Sequence, residues 1–162
     1  AIHWLTSYSE YVNDLAPWYR DNADKNFVDE RNQLMAILNQ ESNLMEIVKL
    51  IGSDVLPDDQ KLTLEIARVI RLGFLQQNAF HQEDTSVPME KQFLMMETIL
   101  YLYEKCRALV NRGMPVSVLK EDNIFERIIA IKYEVPNKEL ERFDEYHKDI
   151  DRFYDNVLER NG

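Results

Sequence analysis

The fold is decided by a turn between two apolar runs, which reads Gly52-Ser53-Asp54-Val55-Leu56-Pro57-Asp58-Asp59-Gln60. A glycine that ends an apolar periodicity is typical of a helix C-terminus, and a proline followed by aspartates is typical of a helix start. Before the turn, apolar residues recur at spacings of three and four: Phe27, Leu34, Ile37, Leu38, Leu44, Ile47, Val48 and Ile51. After it, a second apolar set consists of Leu62, Leu64, Ile66, Ala67, Val69 and Ile70. The sequence therefore predicts a helix–turn–helix hairpin with an acidic turn, whose first arm is one long helix or two abutting ones over about residues 26–51.

The same periodicity predicts helices on both sides of the hairpin. Ser7 followed by Glu10 has the spacing of a capping box and predicts a first helix that runs as far as Pro17. The region from Phe74 to Pro88 has no clear period, so most of it is predicted to be a loop. The helix predicted after this loop ends at Gly113, and its apolar stripe consists of Phe93, Met96, Ile99, Leu100, Tyr103, Cys106 and Val110.

Two more helices are predicted towards the C-terminus. One spans about Leu119 to Tyr133 and has three isoleucines, Ile124, Ile128 and Ile131, facing inward. The last helix begins after Pro136, with charged residues on one face and a largely apolar set on the other: Leu140, Phe143, His147, Ile150, Phe153, Tyr154, Val157 and Leu158.

The composition favours a single all-α domain. Four glycines and five prolines make up about 6% of the 162 residues, against roughly 12% in an average chain. So few turn-forming residues leave most of the chain for long helices. We therefore expect residues 1–162 to form one helical domain of about five to six helices that includes the acidic hairpin.

Charge and cysteine content exclude several classes of protein. A formal charge of −10 repels phosphate backbones and anionic membranes, so the sequence predicts no nucleic-acid partner. No apolar run approaches the ~20 residues that a membrane span needs, and no direct membrane insertion is expected. The single cysteine, Cys106, excludes an internal disulfide and favours a reducing, cytoplasmic location. Its place on an apolar stripe favours a buried side chain over a nucleophile.

The residue patterns indicate neither a phosphate-binding loop nor a metal site. The glycines lie too far apart to form a phosphate-binding loop: Gly52, Gly73, Gly113 and Gly162. His81 near Glu83 and Asp84 is the densest group of potential metal ligands, and Asp144 with His147 is the other, but neither has the second motif that a metal site requires. A solvated loop and a partly packed histidine are the favoured interpretations, and no metal site is predicted. A metal-dependent helical-bundle enzyme based on His81 and His147 stays open as a minor alternative.

One stretch is far more specific than these patterns. From Glu46 to Phe80 the chain resembles the C-terminal helical domain of the catalytic A subunit (alpha chain) of vacuolar and archaeal-type rotary ATPases. The most diagnostic part is the string Phe74-Leu75-Gln76-Gln77-Asn78-Ala79-Phe80, with further matches at Trp4, Ser7-Tyr8-Ser9, Asp84-Thr85 and Glu90-Lys91-Gln92. The likeness covers nearly the whole chain and is weakest after Gly113. The region is also similar to the catalytic β subunit of F-type ATP synthases, whose acidic loop takes the place of Asp54 to Gln60.

The resemblance implies that the chain is part of an enzyme that moves protons or sodium ions. In the family, ATP or ADP with magnesium binds in a preceding P-loop domain, at the interface with a B subunit, and closure swings the helical domain against the central stalk. The chain is then a fragment of a longer polypeptide, with no catalytic residue of its own and no cofactor bound by the fragment alone. Its expected partners are B subunits and central-stalk subunits, and its expected location is the cytoplasmic ATPase head, peripheral to the membrane.

The resemblance also implies two sets of site residues. The central-stalk contact falls on the turn of the hairpin, at Asp54, Val55, Leu56, Pro57, Asp58 and Asp59. Phe80 matches an aromatic residue that packs on the adenine ring. Pro57 and Gln60 stand where the F-type loop is acidic, which leaves three carboxylates in the turn and favours a contribution from apolar contact.

A different class of function stays open beside the rotary ATPase. A stand-alone acidic helical adaptor would bind a basic partner through its carboxylate-rich faces. Residues 134–160 are the candidate surface, since they hold nine carboxylates against five lysines or arginines.

Overall fold

The computed structural model describes residues 26–75 and 89–161, and within these ranges the chain consists of helices and turns, without a strand. The ranges contain seven α-helices: α1 (Asn26–Ile51), α2 (Asp58–Ile70), α3 (Met89–Asn111), α4 (Val116–Leu119), α5 (Ile124–Ile129), α6 (Ile131–Glu134) and α7 (Phe143–Asn161). Short 3₁₀ turns occupy Ser53–Val55, Lys120–Asp122 and Leu140–Arg142, and a π-helix, Arg71–Leu75, follows α2 directly. The predicted all-α class is confirmed. The helix predicted from Ser7 to Pro17 lies outside the described residues.

The predicted hairpin is present and turns where the glycine and proline are. Gly52 has a φ of +85°, which only glycine adopts without strain, and its N–H donates to Val48 O at 2.8 Å to close the last turn of α1. Pro57 begins α2, and its carbonyl accepts the N–H groups of Gln60 and Lys61, each at 3.0 Å. Local backbone chemistry therefore determines the two ends of the turn.

The core is centred on α2, which packs against α1, α3 and α5, while α3 also packs against α7. These helices contribute side chains with no exposed surface, among them Ile66, Ile70, Met96, Ile99, Leu102, Leu109, Ile128 and Ile150. Cys106 is one of them, which confirms its predicted place in the core. Burial raises the pKa of the Cys106 thiol, so a reactive thiolate is disfavoured.

The apolar stripe predicted for α1 is only partly buried. Leu34, Ile37 and Leu38 are in the core, but Ile47 and Ile51 are exposed, contrary to their predicted place on the same stripe. α1 and α2 join at the turn, and Arg71 after α2 bonds to Glu41, so α2 lies beside the last turns of α1. It covers one side of them only, and none of residues 41–51 is fully buried.

The helix predicted from Leu119 to Tyr133 is wrong as a single element. The chain forms the 3₁₀ turn after α4, then α5 and α6, with a left-handed residue, Asn123 (φ +58°, ψ +22°), before α5. Asparagine tolerates this conformation better than most residues, so it can break the helix at low cost. The three isoleucines predicted to face inward are buried as expected.

The predicted loop also begins later than Phe74. Phe74 and Leu75 are 3% and 1% exposed and belong to the π-helix, which extends the helical backbone beyond α2. Residues 76–88 lie outside the described part of the chain. Periodicity missed the two residues because a π-turn does not follow the spacing of an α-helix.

α7 is held by two tyrosine–carboxylate contacts. The Tyr101 hydroxyl on α3 donates to the Asp151 carboxylate, and Lys105 lies over the Tyr101 ring at 5.4 Å. The Tyr146 hydroxyl donates to Glu134 Oε2 at 2.7 Å. The hydrogen bond to Asp151 is the first cause that raises the pKa of Tyr101 to about 12, whereas burial is the first cause that raises the pKa of Tyr146 to about 12.

These tyrosines predict a loss of stability at high pH. The unfolded chain releases phenol protons near pH ~10, so the stabilisation is complete below that pH and is lost as the pH rises towards 12. We expect the free energy of unfolding of the chain to fall over this range, and to fall less steeply in a Tyr101→Phe/Tyr146→Phe variant. Urea unfolding at a series of pH values from 8 to 12 measures how steeply the free energy of unfolding falls with pH in each protein. Tyr133→Phe, at an exposed position, is the control, and equal slopes in all three proteins would contradict the assignment.

Candidate functional site at the hairpin tip

The residues predicted to contact a central stalk divide into an exposed group and an inward group. Four of them are exposed at the tip of the hairpin: Asp54, Val55, Pro57 and Asp59. The two others, Leu56 and Asp58, are turned towards the domain itself. The tip therefore presents a smaller surface than the six consecutive positions suggest.

Leu56 is 6% exposed and lies beneath the turn. Its N–H donates to Ser53 O at 3.2 Å, which closes the 3₁₀ turn, and its backbone is extended as the chain enters α2. An apolar side chain in this position stabilises the shape of the tip. As the domain is folded, Leu56 offers little surface to a partner.

Asp58 is half-buried and bonded to another element. Its Oδ1 accepts the backbone N–H of Val116 at 3.0 Å, which satisfies a donor at the first position of α4. A carboxylate in the first turn of α2 is also favoured by the helix dipole. Asp58 thus attaches the base of the tip to the body of the domain.

The tip continues along α1 into an apolar surface, of which sequence reasoning assigned only Val55. Ile47, Leu50, Ile51 and Val55 are 41%, 85%, 61% and 60% exposed, and we call these four residues the apolar ridge. The first three share one face of α1 because residues three and four apart are neighbours on a helix. No sequence signal singles out the ridge, since Ile37-Leu38 is also an adjacent apolar pair on α1 and is buried.

Charged groups surround the ridge without covering it. Glu46 pairs with Lys49 at 3.8 Å, with both side chains more than two-thirds exposed, and such a pair contributes little to stability. Asp54 and Asp59 are exposed at the tip. The surface is therefore apolar at its centre and mainly acidic at its edge, which is the pattern of a protein-binding surface.

The candidate residues that the structure describes outside the hairpin form no reactive centre. Among residues 26–75 and 89–161, no three histidine, cysteine or acidic side chains are grouped to hold a metal ion. His147 lies with Nε2 3.2 Å from Thr98 Oγ1 and its ring centroid 4.8 Å from that of Tyr101, so packing accounts for it. Phe80 and His81 lie outside the described residues. None of the helices described is long and apolar enough to cross a membrane.

Comparison with known proteins places the hairpin in a family. The model of the C-terminal domain of V and A type ATP synthase matches residues 16–118, which include the whole hairpin. The chain is 44% identical over 99% of its length to the V-type ATP synthase alpha chain 2 of Clostridium tetani. It is 43% identical over 98% of its length to the V-type ATP synthase alpha chain of Halothermothrix orenii. It is 41% identical, again over 98%, to the A subunit of the A-type ATP synthase of Methanopyrus kandleri.

The match covers nearly all of this chain but only part of each relative. The chain spans 27% of the length of each of these three relatives, although they cover nearly all of the chain. The matched family model and the relatives agree on the same kind of protein. The chain therefore belongs to the family of C-terminal domains of V- and A-type ATP synthases.

Proposed function

We propose that this domain transmits motion to the central stalk of a rotary ATPase from the nucleotide-binding part of its catalytic subunit. The apolar ridge carries the proposal, because its four apolar side chains are exposed together beside the turn of the hairpin. Helices transmit displacement with little bending, and an apolar contact does not need a particular charge opposite it. Such a contact allows a partner to slide past, as rotation requires.

The proposal divides the predicted tip residues by role. Asp54, Val55, Pro57 and Asp59 belong to the contact surface together with the ridge, whereas Leu56 and Asp58 stabilise its shape from within. Exposed carboxylates at the edge are screened by salt and are expected to orient a basic partner surface rather than to hold it.

The remaining parts of the proposal concern the whole catalytic polypeptide. ATP or ADP with magnesium binds in a P-loop domain outside these residues, next to a B subunit, and Phe80 packs on the adenine ring. The assembly moves protons or sodium ions, with this domain in the head on the cytoplasmic side, peripheral to the membrane. Family membership and the 27% coverage of the relatives support a fragment of this kind.

The ridge predicts a specific loss of coupling in the assembled ATPase. Leu50→Asp/Ile51→Asp places two charges in the apolar surface, and the loss of a hot-spot residue at the centre of an interface costs ~2 kcal/mol or more of binding free energy. We expect ion transport per ATP hydrolysed to fall several-fold, while ATP hydrolysis continues. Parallel assays of ATP hydrolysis and ion uptake in reconstituted vesicles measure the ratio.

Two controls separate apolar contact from charge. Asn39→Asp/Gln40→Asp adds the same two charges at exposed neighbouring positions of the same helix and is expected to leave the ratio unchanged. Asp54→Asn/Asp59→Asn removes the acidic edge and is expected to change the ratio by less than about twofold. Normal coupling in the Leu50→Asp/Ile51→Asp enzyme would refute the ridge as the contact surface. If the domain alone bound a basic protein that is not an ATPase subunit, the acidic adaptor would be favoured instead.

A further inference from the structure

We infer that Glu65 on α2 is a positioning residue, which together with Arg68 fixes how α2 lies against α5 and the 3₁₀ turn Lys120–Asp122. The position of α2 in turn sets the position of the hairpin tip. Glu65 is 9% exposed, and no other acidic side chain is buried in the part of the chain that the structure describes. The effect on the hairpin does not depend on the proposed function, whereas its consequence for coupling rests on it.

The Glu65 carboxylate has a cation at each of its two oxygens. Arg68, three residues later on α2, donates to Oε1 through Nε at 3.0 Å and through Nη2 at 2.6 Å. Lys120 Nζ lies 3.8 Å from Oε2 and belongs to the 3₁₀ turn after α4. Because a buried carboxylate is costly without charged partners, these two cations account for its place beside the core.

The contacts of Glu65 extend to two further helices. Arg68 Nη2 also donates to Glu126 Oε1 on α5, 58 residues later in the chain. Burial first, and then the negative charge of Glu65, raises the pKa of the Cys106 thiol on α3. Glu65 therefore lies where α2 meets α3, α5 and the 3₁₀ turn. We call four residues the charge network: Lys120, Glu65, Arg68 and Glu126.

Apolar packing alone specifies the position of α2 less sharply than such a network does. The buried residues of α2 include Leu62, Ile66 and Ile70, and the burial of apolar surface has no preferred direction. When the packing of an apolar core is changed at constant size and pattern, its single ordered arrangement is lost before its stability. Forked ion pairs, by contrast, require one geometry. The charge network therefore restricts α2 to one position, although it adds little to net stability.

Both ends of α2 are held by directional contacts as well. Asp58 in its first turn accepts the N–H of Val116, and Arg71, directly after α2, pairs with Glu41. The charge network occupies the middle of the same helix, so α2 is held along its whole length. Val55 of the apolar ridge precedes Asp58 by three residues. A fixed α2 therefore keeps this end of the ridge in one place.

Spin labels on the full-length catalytic subunit measure the spread of hairpin positions. One label is attached at Ser53→Cys on the tip and the other at Glu145→Cys on α7, both at exposed positions. Glu65→Leu/Arg68→Leu, the network variant, replaces the two central members of the charge network by apolar side chains. We expect the width of the tip-to-α7 distance distribution to about double, while the urea midpoint of the domain stays at or above that of the wild type.

A second ion pair of the same 3₁₀ turn supplies the control. The network variant leaves no buried charge unpaired, because the side chains of Lys120 and Glu126 are 55% and 58% exposed. Asp122→Leu/Arg160→Leu removes an ion pair between the turn and α7 that does not involve α2, and it should keep the wild-type width. A wild-type width in the network variant, or a widening that comes with a lower urea midpoint, would overturn the positioning role.

The assembled ATPase separates this inference from the proposed function. If the ridge contacts the stalk, the network variant should lower ion transport per ATP hydrolysed by about twofold, with ATP hydrolysis retained. Normal coupling in Leu50→Asp/Ile51→Asp together with a widened distribution in the network variant would refute the proposed function and leave the positioning role intact. Loss of coupling in Leu50→Asp/Ile51→Asp without widening in the network variant would refute the positioning role alone.

Discussion

Leu38→Ala is expected to lower the free energy of unfolding of the chain by about 3 kcal/mol, because it deletes a fully buried side chain and leaves a cavity. Leu38 is 1% exposed and lies where α1 packs on the core. Leu50 is the same residue type on the same helix, about three turns later, and is 85% exposed. We expect Leu50→Ala to change the free energy of unfolding by less than ~0.5 kcal/mol. Equilibrium urea unfolding followed by circular dichroism measures both variants.

This pair of variants locates the end of the core along α1. A large cost at Leu38 with a negligible cost at Leu50 means that the last turns of α1 contribute surface for a partner and little for folding. Equal losses of unfolding free energy at the two positions would mean that the ridge is packed within the chain. The proposed contact surface would then be wrong.

Gly73→Val is expected to cost about 2–3 kcal/mol, because its side chain is forced against the backbone of α5. The Cβ alone lies 3.3 Å from the Cα of Ile129, and the two methyl groups of valine need further space. Gly73→Ala is expected to cost less, since the gain in helix propensity of roughly 1 kcal/mol offsets part of the crowding. Thermal and urea unfolding of the two variants show which substitution lowers the free energy of unfolding more.

Gly113→Ala is the contrasting control for backbone strain. Gly113 has a φ of +97° and nothing within 4 Å of a built Cβ, so alanine there meets strain without crowding and is expected to cost ~1 kcal/mol. A Gly73→Val chain as stable as wild type would show that the π-helix can move away from α5, contrary to the close approach of the two backbones.

The hairpin was predictable because its signals are local. Gly52 ends one helix and Pro57 starts the next through their own backbone constraints, whichever elements surround them. The ridge was not predictable in the same way, because periodicity identifies apolar positions and does not say which of them a neighbouring helix covers. Ile47 and Ile51 follow the spacing of the buried stripe and are nevertheless exposed.

The resemblance implies a contact at six tip residues, and the structure shows which of the six are exposed. In the sequence, Asp58 is one of three similar carboxylates in the turn. In the structure it differs from the other two, because it accepts the N–H of Val116, 58 residues away. Leu56 is likewise indistinguishable from Val55 by sequence, although one is 6% exposed and the other 60%. Neighbouring residues in a turn point in different directions, so order along the chain does not determine exposure.

Local signals in the sequence specify the all-α class, the hairpin and its acidic turn, because helix propensity, capping and turn chemistry act between residues close in the chain. Only the packed fold shows where the core ends along α1, that the π-helix contacts Glu41, Ile129 and Lys132, and which tip residues are exposed. These properties depend on distances between segments 30 to 60 residues apart, and the lengths and crossings of packed helices set those distances.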